Sequence, residues 1–183
     1  LLWTDFGITY LRLNTDTQHL AYVLKPGESE APAGLRAGLA ATNRVQDALI
    51  GSFAAGSSGN EILARARRRA IVEGLDPSIY SHPIGLHGHG AGTPIGFWDN
   101  QDGDPRGEYI LQPDTAWSIE LTSYNAVPEW GGQVVDFRSE SARKKSTDPW
   151  VRVTVQQIIS EARGTTPQQT ESHAKIEEEK EQL

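Results

Sequence analysis

The stretch that decides the fold is Leu1-Leu2-Trp3-Thr4-Asp5-Phe6-Gly7, taken with Thr15-Asp16-Thr17-Gln18-His19-Leu20-Ala21-Tyr22-Val23-Leu24. Each half is an extended, largely apolar run that holds one carboxylate, and Asp5 and Asp16 stand eleven positions apart. If the runs pair as antiparallel strands about a centre between Tyr10 and Leu11, Asp5 faces Asp16. Directly opposed side chains have Cβ atoms roughly 5 Å apart, and like charges there are destabilising. Two carboxylates so placed need a cation between them, a shared proton or a different register. The turn lacks Asn-Gly and Asp-Gly, so the register is weakly specified. A cation requires further ligands, and the rest of the chain has to supply them.

Working outward, 183 residues suffice for one domain with a sizeable core and are few for two. Hydrophobic residues make up 37% and the mean hydropathy is -0.48, which fits a soluble chain with polar loops or tails. A net charge of -7 argues against nucleic acid as a partner, because that footprint is basic and clustered. No apolar run approaches the roughly 20 residues that cross a bilayer. Without cysteine there is no disulfide, thiolate metal site or cysteine nucleophile. The chain has no methionine, even at position 1, and starts inside a strand-like run, so a fragment boundary is expected there. With the true N-terminus in question, the lack of a secretory signal excludes nothing, and a cytoplasmic location is the default expectation.

Lys25-Pro26-Gly27-Glu28 signals a turn. From Ala33 to Phe53, Leu35, Leu39, Val45, Leu49 and Phe53 form the stripe of an amphipathic helix. A second helix is expected from an Asn60 N-cap to Gly74, with Ile62, Leu63, Ala66, Ala70 and Ile71 facing inward. Arg65, Arg67, Arg68 and Arg69 spread around it and read as a solvated face. Residues 76–113 are rich in Gly, Pro and His, and a loop of that length in a compact domain is functional or disordered. Trp117 to Leu121 and Gln133 to Phe137 read as strands. A helix is expected from Trp150 to Ala162, followed by a polar segment, Gly164 to Leu183, that lacks the apolar content to fold.

Three histidines lie within eight residues, in His82-Pro-Ile-Gly-Leu-His87-Gly-His89. A lone histidine is more often structural than a ligand, but a glycine-rich loop offers little side-chain volume for imidazoles to pack against. Glu120 alternates with Ile119 and Leu121 in an apolar strand, where an unpaired carboxylate is costly. It sits either on a wet face of the sheet or at a ligand position. Asp5, Asp16, His82, Glu120 and one more acid would form an oxygen-rich site with one imidazole. Manganese, cobalt, zinc and iron all suit such a set, and several carboxylates allow two ions about 3.5–4 Å apart.

These residues resemble the pita-bread metallopeptidases: methionine aminopeptidases, proline aminopeptidases, prolidases and their relative creatinase. The resemblance rests on Asp5-Phe6-Gly7, Asp16 eleven residues on, His82-Pro83-Ile84-Gly85 with His89 seven residues on, and Ser118-Ile119-Glu120-Leu121. Pro128-Glu-Trp-Gly-Gly-Gln133 is similar to a bacterial proline-aminopeptidase-like branch. The likeness covers about residues 1–140, and the order and spacing are more specific than any single motif. It implies an α+β pita-bread fold, a curved antiparallel sheet under covering helices, incomplete on its N-terminal side. In this resemblance Asp5 chelates one metal, Asp16 bridges two, and His82 and Glu120 hold the second. Glu120 also shuttles the proton, and His89 contacts the substrate or the tetrahedral intermediate. His87 stands behind these residues or is simply loop, and Trp98 shapes the substrate pocket. The acidic run from Trp98 to Asp104 lacks the glycine and terminal glutamate placement of a calcium loop. Glu140 is the candidate for the last ligand, with Asp136 the alternative. From Asp136 onward the sequence departs from the family pattern, so the closing strand is expected to be lost or replaced. A histidine that the family places upstream of its first Asp strand is absent.

The resemblance thus implies a catalytic unit at residues 1–140 and a divergent tail at 141–183. The reaction implied is hydrolysis of an N-terminal peptide bond, before proline in some relatives, by a hydroxide shared between two divalent metals, manganese first. The partner implied is a peptide, with no nucleic acid or membrane, and a homodimer is the assembly to test. One alternative is an inactive metal-binding fragment of the family. Another is creatinase-like C–N hydrolysis, which needs no metal.

Overall fold

The computed structural model describes residues 1–144 and a two-residue strand, Val151–Arg152. The elements are β1 (Leu2–Phe6), β2 (Thr9–Tyr10), β3 (Leu13–Asn14), β4 (Thr17–Ala21), α1 (Ala33–Ile50) and α2 (Gly59–Val72). They continue with β5 (Pro77–Ile79), β6 (His82–Pro83), β7 (Ala116–Val127), β8 (Gln133–Lys144) and β9 (Val151–Arg152). The main sheet runs β1-β4-β8-β7-β5, with β6 also on β7 and β9 on β8, and every pairing is antiparallel.

β7 and β8 pair along twelve positions each, from Ala116↔Lys144 to Val127↔Gln133. The closing strand expected to be lost is therefore present. Alternation divides β7 into two faces. Trp117, Ile119 and Leu121 point to the helices and are fully buried, while Ser118, Glu120 and Thr122 occupy the other face. Leu49, Ile62, Leu63 and Ala66 from the helices complete the main core, and Leu35, Val127, Val135 and Phe137 form a second cluster. Gly38 lets α1 lie close on β8: a Cβ there would come within 2.2 Å of the Phe137 ring.

Both helices form; α1 begins at Ala33 as expected but ends at Ile50, and Leu39 and Ile71, expected on the inner faces, are exposed. The N-cap of α2 is Ser58, two residues before the expected Asn60. Its hydroxyl accepts from Glu61 N while Glu61 returns a bond to Ser58 N, a capping box. Asn60 instead ties the helix to the loop, donating to Asp104 O at 2.9 Å. The start of α1 has no side-chain cap of its own, and Glu129 from the β7–β8 turn accepts from Gly34 N. The arginine face is not simply solvated. Arg65, Arg67 and Arg69 donate to the carbonyls of Ser52, Gln101 and Gly51.

The 76–113 segment contains β5, β6 and a short 3-10 helix at Pro105–Glu108, so it is more regular than a loop. Gln101 donates to Ile79 O and Phe97 O, and Asp104 holds Arg106 through two oxygens. Of the expected helix from Trp150, Val151–Arg152 pairs with β8 as strand; the remainder, like the polar segment from Gly164, lies outside the described residues.

Candidate metal centre

The expected register of the first hairpin is corrected. Asp5 faces Gln18 and Phe6 faces Thr17, and beyond the break Thr9 faces Asn14. The same register places Asp16 opposite Gly7, so the two carboxylates are diagonal neighbours rather than an opposed pair. The turn lies one residue later than expected, at Leu11-Arg12, with φ of 49° and 70°. Shifting a turn by one residue moves the pairing by two and leaves each side chain on its face. Gly7 is required by this approach: a Cβ there would meet Thr15 O at 1.9 Å.

The site then follows from two transverse rows on the sheet face away from the helices. One row runs Asp5, Gln18, Glu140, Glu120 across four strands. The next carries Asp16 beside Gly7 and, beyond β8, Ser118 beside His82. These rows gather all five expected ligands. Ligand atoms of Asp5, Asp16 and Glu140 lie within 4.8 Å of one another, as do those of His82, Glu120 and Glu140. Glu140 is common to both triads. A third group joins Asp16 to His82 and His89 within the same limit. Asp136 stays apart. It is exposed, lies 3.6 Å from Arg138, and stands four residues from Glu140 on its strand, about 13 Å away.

The electrostatics of the cluster call for positive charge. Burial, then Glu140, raise Glu120 to about 8, against the opposing effects of Gln18 and His82. Burial, then Glu140 and Asp5, raise Asp16 to about 6. Asp5 is raised for the same first two reasons. Burial pulls the His82 imidazole down, but contacts with Glu140, the Pro83 carbonyl and Glu120 outweigh it and the net shift is upward.

His82 supplies the test of fit. Its Nδ1 is 3.1 Å from Pro83 O, so Nδ1–H donates there and in the neutral ring Nε2 carries the lone pair. Nε2 is buried with no hydrogen-bond partner among the described residues. It is 3.7 Å from both Glu120 Oε2 and Glu140 Oε1, too far for a hydrogen bond. A buried polar atom left unpaired costs about 1–3 kcal/mol. An imidazole with a fixed tautomer, aimed among carboxylates that repel one another, fits a divalent cation.

His89 stacks on His82 at 4.2 Å between centroids and is exposed on its other side. Burial and the His82 charge lower it, favouring the neutral imidazole. Trp98 is 40% exposed and meets Tyr80 edge-on, and Tyr80 also stacks near His89 and Phe97. His87 is exposed; its carbonyl accepts from Gly85 N, and its side chain makes no described contact with the cluster.

Three residues at the site were not singled out from sequence. Gln18 Nε2 donates to Glu120 Oε1 at 2.6 Å, Ser118 Oγ donates to Glu140 Oε1, and Tyr80 joins the histidines to Trp98. Gln18 lies two positions after Asp16 and Ser118 two before Glu120, a spacing that alternation carries to one face.

The sequence model of metallopeptidase family M24 matches residues 1–142. Among solved structures, the chain is similar to the X-Pro aminopeptidase from Thermotoga maritima, with a TM-score of 0.57 and 18% identity over 81% of this chain and 37% of that one. It is similar to the prolidase from Pyrococcus furiosus, with a TM-score of 0.56 and 18% identity over 82% of this chain and 40% of that one. Against methionine aminopeptidase from Rickettsia prowazekii the TM-score is 0.58 and the identity 14%, over 82% of this chain and 62% of that one. The chain thus spans less than two thirds of each, and likeness at these identities carries the fold alone. No curated protein matches the sequence.

Proposed function

The chain belongs to metallopeptidase family M24 and has its pita-bread fold, and from that premise we propose that its carboxylate–imidazole cluster holds two divalent cations and serves hydrolysis of an N-terminal peptide bond. The orphaned Nε2 of His82 among Glu120, Glu140 and Asp16 is the observation that carries this reading. Asp5, Asp16 and Glu140 would hold one cation, and His82, Glu120 and Glu140 the other, with manganese the first candidate and cobalt, zinc or iron also suited to the donors. When bound, such ions supply Lewis acidity and lower the pKa of a shared water.

The protein's own groups do the rest. Glu120 takes and returns a proton on its carboxylate, whose Oε1 also accepts from Gln18. His89, neutral and on the open side of His82, donates to the substrate carbonyl as charge develops there. Trp98 and Tyr80 form an aromatic wall for the substrate side chain, and His87 is an exposed imidazole on the loop between His82 and His89. Residues 1–140 are assigned as the catalytic unit and 141–183 as a tail, with β8 continuing to Lys144.

The test is metal content and turnover of Xaa-Pro and N-terminal Met peptides by the manganese-reconstituted chain and its Asp16→Ala variant. Bound metal and turnover in the parent, both lost in the variant, are expected. No bound metal overturns the reading. Metal without turnover favours a second reading, a metal-binding module of the family without peptidase activity.

A further inference from the structure

The geometry points to Gln18 as a positioning residue that orients Asp5 and Glu120, one carboxylate from each triad, toward the cations they would hold. This inference rests on the metal reading above.

Gln18 is 4% exposed and sits in the row between Asp5 and Glu140. Its Nε2 donates to Glu120 Oε1 at 2.6 Å and to Asp5 Oδ2 at 3.3 Å. The two carboxylates belong to strands at opposite ends of the row, and the amide joins them above β8. Its orientation is fixed from outside. The Trp3 indole donates to Gln18 Oε1 at 3.3 Å, and an indole N–H can only donate, so the amide oxygen must face Trp3 and the nitrogen must face the acids. The Arg138 guanidinium lies over the Trp3 ring at 4.9 Å, holding that ring in turn.

The amide divides the oxygens of both acids. On Glu120, Oε1 goes to Gln18 and Oε2 is left beside His82 Nε2. On Asp5, Oδ2 accepts from Gln18, and Oδ1 has no hydrogen bond among the described residues. A neutral double donor suits this place. A lysine would compete with the cations for the same charge, and an apolar residue would leave both carboxylates free to rotate and to repel one another. Partners behind metal ligands matter at roughly 10- to 100-fold in affinity.

The experiment compares the full chain with Gln18→Met, which keeps the length and burial of the side chain and removes both donors, and with Trp3→Phe, which removes only the indole N–H. Mn2+ affinity is read from the free-ion signal in electron paramagnetic resonance, and ligand geometry from the visible spectrum of the Co2+ form. Gln18→Met should bind Mn2+ roughly 10- to 100-fold more weakly and give an altered Co2+ spectrum, with Trp3→Phe moving both in the same direction by less. If the parent binds and Gln18→Met, folded by circular dichroism, keeps the parent affinity within about twofold and the same Co2+ spectrum, the inference is overturned while the metal reading stands. If Gln18→Met does not fold, Trp3→Phe decides in the same way: a parent-like affinity and spectrum overturn it. A parent that binds neither ion overturns both readings.

Discussion

At the scale of single residues, the cluster is a set of groups holding protons that a cation would displace. Glu120, at about 8, is mainly protonated at neutral pH, while Asp16, at about 6, is mainly ionised. Through Glu120, with a share from His82, metal uptake near neutral pH should therefore release at least about one proton per protein, and near pH 9 these side chains should release far less. Calorimetry in buffers of different ionisation enthalpy measures this release; an equal, near-zero release at both pH values would count against Glu120 as a ligand. The ligand candidates themselves were legible in the sequence because their spacing is fixed by strand geometry: Asp5, Asp16, His82, Glu120 and Glu140 fall on two adjacent rows of one face. What lies behind them was not. Gln18 meets Glu120 across a separation of 102 residues, and no local pattern announces which glutamine will do so.

At the scale of elements, the first hairpin shows where local reading fails and why. The turn residues Leu11 and Arg12 both have positive φ, where Asn-Gly is the preferred pair. Nothing in their chemistry marks that turn, so the register was placed two positions away. Placing non-glycine residues there costs on the order of 1–3 kcal/mol each. Leu11→Asn with Arg12→Gly should raise stability by about 1–2 kcal/mol, measured from the urea midpoint, without altering metal affinity. Gly7→Ala should act oppositely. A Cβ within 1.9 Å of Thr15 O forces β1 from β4, and the expected result is a loss of metal affinity of at least about tenfold while the helical circular dichroism is retained. The second helix was placed correctly in type because Ile62, Leu63, Ala66 and Ala70 keep the period. Its start moved to Ser58 because a capping box outcompetes a lone asparagine. Ser58→Ala should cost about 1 kcal/mol in the same urea measurement.

At the scale of the whole molecule, the shifts of Asp16, Glu120 and His82 share one direction, upward. A raised folded-state pKa means the fold binds the proton more tightly than the unfolded chain does. The stability so gained is complete below the unfolded values and is lost as pH rises through the folded ones. In EDTA, the cluster's contribution should fall as pH climbs from about 4 to about 8, whereas Mn2+ should offset the loss. The difference in melting temperature between Mn2+ and EDTA should therefore widen from about pH 5 to about pH 8; a constant difference would show that these groups do not titrate as described. A second property follows from the seam between β4 and β8. Their pairing register has a single residue pair, Gln18↔Glu140, whereas β7 and β8 share twelve. Beyond that pair the ribbon of β1 to β4, which carries Asp5 and Asp16, is tied to the body through side-chain and loop bonds, Gln18 to Glu120 and Asn14 to Gly85 and Leu86. Cations lodged between that ribbon and Glu140, His82 and Glu120 would act as fasteners, closing loops more than a hundred residues long. Amide exchange along Leu2–Ala21 should slow when the fasteners are supplied, while Ala116–Val127, already sewn along its length, should keep its own pace.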